Sequence, residues 1–598
     1  KEWEASNFAP AQDVARFQDW RFGLMISFGL TVHGKAELSW GTITANERKA
    51  PDGNALSDGI SHPMAEWVRW DRQLRLERFD AREWVRFAKA AGFRYLVIIA
   101  KHHEGFHQWD TAFSDYKVTN TPFGRDYLKE VIDACHEQGM PVGIYYSQRD
   151  WYHPDYSPVG WGKDGAEPGP THQKYKDYQF KVVRELLTKY GKIDIFWWDA
   201  LWWGGMFHAR DWDAERLTRM VRELQPHIVM NNRASVPGDF DTPEQRSGVF
   251  QTWRAWEAAV SFEETWSYTG KQPKTAEQII QLLVRSAINN GNLLLSLGPR
   301  WEGDFDSGEM ATMMRVGDWL RTHGQAIYAT RGGPWKPAGW GGATWRGSTA
   351  YLHLLDPPRG EISLRSVPGN PVRRVSVLAI DAGGKAKLVA GRFREAGGLI
   401  SIQVPKRPAA SVDTVLVADM ARVLDDAQPL EAVSDPGATG NDAHLKPFDY
   451  ELVYGRRVPS VLGLTASGLT APLGPDALQK LIGADRGEDI AVRTTAGPGS
   501  WILIDLGKAT LVTGVFLDAS AGELPIELAL SVDGTGFHPV WTSVPQGDKP
   551  PWEIEVNDFK AGAQTPGREA RYLRLRLPAA AHGALVVRHI AVWSKDDK

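Results

Sequence analysis

The chain has 598 residues but only one cysteine, Cys135, so no intrachain disulfide and no cysteine-built metal cluster can form. Cys135 lies in Leu128-Lys-Glu-Val-Ile-Asp-Ala-Cys-His136, where a helical period sets it with Val131 and Ile132 on one apolar face. A buried, inert thiol is expected there. The missing disulfide fits the cytosol and an exported destination equally. Basic excess is also lacking: 69 Lys and Arg face 73 Asp and Glu, for a net charge of −4. With no basic stripe, the electrostatic footprint of a nucleic-acid binder is missing. No apolar run approaches the roughly 20 residues that a membrane span needs. The first residues do not read as a signal peptide, which would also hold after a leader had been cleaved.

Tryptophan is what the chain has in plenty. It holds 26, and all but Trp501, Trp541, Trp552 and Trp593 precede residue 346. An indole offers a flat apolar face for the C–H face of a sugar and an N–H for a hydroxyl, although most such residues fill cores. Trp197-Trp198 and Trp202-Trp203, beside Asp199, suit a binding wall. Two apolar runs end in chemistry. Tyr95-Leu-Val-Ile-Ile-Ala-Lys101 leads into His102-His103-Glu104, and Ile193-Asp-Ile-Phe-Trp-Trp198 leads into Asp199. Short apolar runs without helical period read as strands covered on both faces, and the ends of such strands carry the reactive groups of parallel barrels. Imidazoles, a carboxylate and indoles on one rim suggest a sugar site.

From Phe17 to about His323, strand-like runs alternate with amphipathic helices. The pattern predicts strands at Phe22–Phe28, Tyr95–Ala100, Val142–Tyr146, Ile193–Trp198, Ile228–Met230 and Asn292–Leu297, and an α/β fold with a (β/α)8-like barrel. The Gly/Pro-rich stretch 332–342 reads as a linker to short alternating strands, which predict a β-sandwich. The expected domains are a barrel at 1–335, a sandwich at 336–430, a linker at 431–454 and a second β-sandwich at 455–598.

The motifs "KHHEGF..WD" at 101–110, "YGKIDIFWWD" at 190–199, "NGNLLLSLGP" at 290–299 and "GQAIYATRGGPW" at 324–335, in that order, resemble those of the α-L-fucosidases, glycoside hydrolase family 29. The resemblance runs from about Phe17 to Pro337. It implies an exo-acting, retaining glycosidase that forms a covalent glycosyl-enzyme intermediate and needs no cofactor. The expected partner is a glycan carrying terminal α-L-fucosyl or related residues, and the substrate class suggests a secreted or periplasmic enzyme. Residues 455–596, with "SWILIDLGKATLVTGVFL" and "ARYLRLRL", resemble galactose-binding-like modules of the coagulation factor 5/8 type C (discoidin) kind, which leaves a carbohydrate ligand open.

Retention needs two carboxyls about 5–5.5 Å apart, one a nucleophile and one an acid/base. The resemblance assigns the nucleophile to Asp199, although Ala200 stands where the family has Gly. It assigns the acid/base to Glu257 in "WEAAVSFEETWSY", with Glu263 and Glu264 as alternatives. His102 and His103 match histidines that bond sugar hydroxyls, and Trp40, Glu37, Tyr146, Trp198, Asn232 and Arg233 are candidate pocket liners. A metal held by His102, His103, Glu104 and His107 is not expected, because neighbours on a strand point to opposite faces. Ser27 occupies a first-strand position where the family carries a sugar-contacting His, and His33 is a possible substitute. That departure predicts a modified L-sugar, with α-L-galactosidase activity as the alternative. A non-catalytic carbohydrate-binding protein is the rival of another class.

Overall fold

The computed structural model describes residues 8–42, 62–156, 170–199 and 212–433 with short breaks, and the C-terminal part in segments, chiefly 497–521, 524–542, 568–578 and 582–594. Trp202-Trp203, Ala200 and, apart from Val433, the expected linker at 431–454 lie outside the described residues. The chain packs as two units, one holding most of residues 1–448 and one holding 449–598.

In the first unit the strands β1 (Phe22–Ile26), β2 (Tyr95–Lys101), β3 (Val142–Ser147), β4 (Ile195–Asp199), β5 (Val229–Met230), β6 (Phe240–Asp241), β7 (Ala255–Ser261) and β8 (Asn292–Leu297) form one sheet. Its order is β5-β4-β3-β2-β1-β8-β7-β6, every pairing is parallel, and a parallel bridge from Asn231 to Phe240 spans the gap between β5 and β6. This is the expected barrel. Helices α1 (Ala11–Trp20), α2 (Ala81–Ala90), α3 (Tyr127–Glu137), α4 (His172–Lys189), α5 (Ala214–Leu224), α6 (Ala276–Ile288) and α7 (Ser307–His323) accompany it. Several start where a side chain satisfies helix N–H groups that lack an intrahelical partner: Asp80 for α2, Asp126 for α3, Thr275 with Gln278 for α6 and Asp306 for α7. Among the described residues no α-helix separates β5 from β6, where only the 3-10 turn Asn232–Ala234 lies, or β6 from β7, so the βα rhythm breaks on that side.

The barrel interior is filled by inward residues of alternating parity, among them Met25, Tyr95, Val97, Ile99, Tyr145, Ile195, Trp197, Ala255, Ala259 and Leu294. Cys135 is buried on α3, and burial pushes its thiol well up, as suits an inert core residue. Six antiparallel strands between Arg331 and Met420 form one sheet of the following β region, and Glu361–Arg365, Phe393–Ala396 and Leu399–Gln403 form a second. The stretch read as a linker is built into this region: Trp335 and Trp340 belong to its core. In the second unit a nine-stranded sheet surrounds a separate core, and its longest strand, Trp501–Ser520, covers both alternating runs that the sequence offers there, Trp501–Leu506 and Thr513–Leu517.

Candidate active site

Asp199 is the last residue of β4 and points inward two positions after Trp197, because side chains alternate along a strand. The Tyr145 hydroxyl donates to its Oδ2, and Arg233 donates to its Oδ1 from 3.1 Å. Burial pushes the carboxyl up to about 6, against the opposing pull of Arg233 and Tyr145. Arg233 lies over the Trp197 ring, 4.7 Å from its centroid, and Tyr145 stacks on the same ring at 5.4 Å. Trp197 is thus the floor beneath both groups that hold Asp199.

The Arg233 guanidinium is shared. Its NH2 nitrogen donates to Glu244 at 2.7 Å, so two carboxylates occupy neighbouring nitrogens of one planar cation. Glu244 is exposed, whereas Asp199 is buried. Residue-type reasoning missed Glu244, although "DTPEQ" sits just after β6, where a barrel strand delivers its chemistry.

His102 and His103 follow β2, and both turn into the site. The expectation that strand neighbours diverge fails for a specific reason. The register of β2 against β3 slips between Ile99 and Lys101, leaving Ala100 as an extra residue. Such a bulge reverses the parity that follows. Lys101 goes outward, where its ammonium meets Asp150 at 3.2 Å, the Arg149 carbonyl at 2.8 Å and the Tyr146 ring at 5.0 Å. His102 goes inward, and the chain then turns at His103-Glu104, bringing His103 beside it with ring centroids 3.7 Å apart. Gly105 has φ +83°, and a Cβ there would strike the Asp150 carboxylate.

Ligating atoms of His102, His103 and Asp199 lie within 4.8 Å of one another, so these three could surround a cation. Arg233 already supplies positive charge to Asp199. His107 is directed elsewhere, with Nε2 2.5 Å from the Tyr178 hydroxyl and Nδ1 3.1 Å from the Tyr116 carbonyl. Burial holds His102 and His103 well below the usual imidazole range, so both are neutral at neutral pH.

Trp40, with Trp151, packs edge-on to His103 and extends an aromatic wall. Glu37 accepts from the Trp266 amide at 3.0 Å and ties the loop after β1 to the loop after β7. Tyr146 and Trp198 have the parity opposite to Tyr145 and Trp197, so they pack with Phe196 outside the barrel rather than lining the pocket. Asn232 accepts from Thr242 at 3.2 Å beside Arg233. Ser27 is 2.6 Å from Ser296 Oγ, and His33 packs against Trp70 and Trp301.

Glu257 lies lower. It is the third of seven residues of β7, fully buried, and opposite Asn292 at the start of β8. Tyr95, the first residue of β2, donates to its Oε2, and the Trp197 indole donates to its Oε1 from 2.9 Å. Burial pushes Glu257 up to about 7. Glu263 is wrapped by its own loop, accepting from Thr269 N at 2.9 Å, Thr269 Oγ1 at 2.6 Å and Gly270 N at 3.2 Å, while Glu264 is exposed.

The α-L-fucosidase family profile matches residues 1–325. The chain belongs to the α-L-fucosidase family. It is therefore an enzyme of the glycoside hydrolase class. The α-L-fucosidase of Dictyostelium discoideum is 24% identical over 413 residues, covering 63% of this chain and 85% of that protein. The human tissue α-L-fucosidase is 23% identical over 402 residues, covering 63% and 83%. The solved α-L-fucosidase isoenzyme 1 of Paenibacillus thiaminolyticus superposes with a TM-score of 0.59 at 29% identity, over 68% of this chain and 99% of that one. The family match ends before the sandwich strands begin at Arg331.

Proposed function

We propose that this chain is an exo-acting, retaining glycosidase that removes terminal α-L-fucosyl or closely related α-L-sugar residues from glycans. Asp199 is the nucleophile. The observation that carries this reading is Asp199 itself: a buried strand-end carboxylate, oriented through both oxygens by Tyr145 and Arg233, beside two neutral imidazoles and an aromatic wall. In the first step an Asp199 oxygen bonds to the anomeric carbon while the bond to the leaving oxygen breaks, and an acid protonates that oxygen. Water, deprotonated by the same group, then releases the sugar.

Two carboxyls compete for the acid/base role. The motif and the raised pKa favour Glu257. Position favours Glu244, because the leaving group departs toward solvent and Glu244 is exposed while sharing Arg233 with Asp199. We assign the role to Glu244, and to Glu257 the anchoring of the Trp197 floor.

An α-L-galactosidase is the second reading. Ser27, tied to Ser296, is shorter than the His that the family carries there, which favours a substrate with a bulkier or more polar group at that point. For the C-terminal unit we propose the galactose-binding-like class, and for the whole protein an exported location, on the strength of the sequence resemblance and the substrate class. Among the described residues no helix is long and apolar enough to cross a membrane.

Asp199→Gly tests the nucleophile. It should lose several orders of magnitude in turnover of an aryl α-L-fucoside, and azide should restore part of it by entering the vacated space. Near-normal turnover in the variant would remove Asp199 from the mechanism.

A further inference from the structure

The segment Thr242-Pro243-Glu244-Gln245 is gripped from two sides. On one side Arg233 donates to Thr242 Oγ1 at 2.9 Å, to the Thr242 carbonyl at 3.2 Å and to the Glu244 carboxylate at 2.7 Å. On the other side the segment runs parallel to β7 in the register that β6 begins: Phe240 and Asp241 pair with Ala255 and Trp256, and Glu244 bridges to Ala259. The Ala259 amide donates to the Pro243 carbonyl at 3.0 Å, and the Gln245 amide donates to the Ala259 carbonyl at 2.7 Å. Gln245 then turns away from the strand path, with φ +53°, in the left-handed region that a residue with a Cβ disfavours.

The Gln245 side chain takes over where its backbone leaves. Its Oε1 accepts from the Ser261 amide at 3.2 Å, and its Nε2 donates to Ser261 Oγ at 3.0 Å. A backbone N–H can only donate, which fixes the way round of the side-chain amide. The single Ser261 hydroxyl proton has the Glu263 carbonyl at 2.8 Å and Gln245 Oε1 farther away at 3.3 Å, so a lone pair remains for Nε2. Ser261 is the last residue of β7 and pairs with Ser296 of β8, so the anchor is the barrel wall itself. Glu244 is exposed, and its neighbours rather than its own burial set where its carboxyl stands.

We propose that Gln245 is a positioning residue for the general acid/base: through Ser261 it holds Glu244 beside Arg233, where an acid can meet the leaving oxygen. The inference rests on the assignment of that role to Glu244. Arg233 grips the same segment but also bonds Asp199, so a change there disturbs both carboxyls. The bonds of Gln245 go to Ala259 and Ser261 of β7, and its loss leaves Tyr145 and Arg233 on Asp199. Its effect should therefore fall on proton transfer and spare the nucleophile.

The test compares, in the full chain, kcat/KM on an α-L-sugar in a natural glycosidic linkage and on the activated nitrophenyl glycoside of the same sugar. Gln245→Met keeps the length of the side chain and removes its amide. Gln245→Gly also removes the amide but relieves the left-handed backbone, which guards against a variant that fails to fold. A misplaced acid costs most where the leaving group is poor, so both variants should lose about 10–100-fold on the natural linkage and less than about 3-fold on the nitrophenyl glycoside. Water needs the same group as a base to release the sugar from Asp199, whereas azide attacks the anomeric carbon without one. Azide should therefore raise kcat on the nitrophenyl glycoside in both variants and not in the wild type, with the glycosyl azide as product. A merely structural role would lower both substrates alike and give no azide response. Equal losses on the two substrates in either variant, or the wild-type ratio in either, overturn the proposal. Glu244→Gln separates the two readings. Equal losses there remove Glu244 from the acid/base role and the proposal with it, whereas a selective loss there and none in the Gln245 variants removes Gln245 alone.

Discussion

Asp199 sits between opposing demands. A nucleophile must be ionised, yet burial pushes it up to about 6, and only Arg233 and the Tyr145 hydroxyl hold it that low. A carboxyl raised in this way loses its charge as pH falls through that value, so the acid limb of kcat/KM should fall near pH 6. Tyr145→Phe removes one stabiliser of the charge and should move the limb upward; a downward shift or none would detach the limb from Asp199. The acid/base assignment separates by leaving group, since loss of a general acid hurts poor leaving groups most. Glu244→Gln should therefore depress natural linkages about 10²-fold or more relative to an activated nitrophenyl glycoside. Glu257→Gln should depress both alike by loosening Trp197. The reverse pattern would return the role to Glu257.

At the scale of elements, the bulge at Ala100 decides which side chains meet the substrate. Deleting Ala100 should restore regular pairing while Lys101 stays outward and His102 inward, whereas inserting one alanine between Lys101 and His102 should turn His102 out of the barrel and cost about 10²-fold or more in kcat/KM. A thermal melt of the insertion variant close to that of the wild type would show that the loss is one of aim rather than folding; full activity in the insertion variant would refute the parity argument. The same bulge marks the limit of what the chain's pattern tells. The runs ending at Lys101 and Asp199 were legible as buried strands, and so was their delivery of His102, His103 and Asp199 to one rim. The bulge was not, because it arises from register against Val142–Ser147, and no local signal at Ala100 announces it. Tyr146 and Trp198, expected as pocket liners at the ends of predicted strands, face outward, while Tyr145, one residue earlier, is the partner of Asp199. Strand β7 escaped notice because Ala-Trp-Glu-Ala-Ala-Val-Ser is poor in β-formers and no helix precedes it.

For the whole molecule, the alternation of strands and helices up to His323 made the barrel readable, and the change to short alternating runs marked the β regions that follow. The Gly/Pro-rich stretch misled, because Trp335 and Trp340 draw it into the sandwich core instead of leaving it as a spacer. The central claim is that this 66.6 kDa chain carries one covalent catalytic centre, at Asp199. A 2-deoxy-2-fluoro-α-L-sugar bearing a good leaving group slows both chemical steps but allows the first, so the glycosyl-enzyme accumulates. Intact-protein mass spectrometry of the full chain after treatment should show one added 2-fluoro-L-sugar per chain, and peptide mapping should locate it on Asp199. An unlabelled chain from an active preparation, or a label on any other residue, would contradict the account.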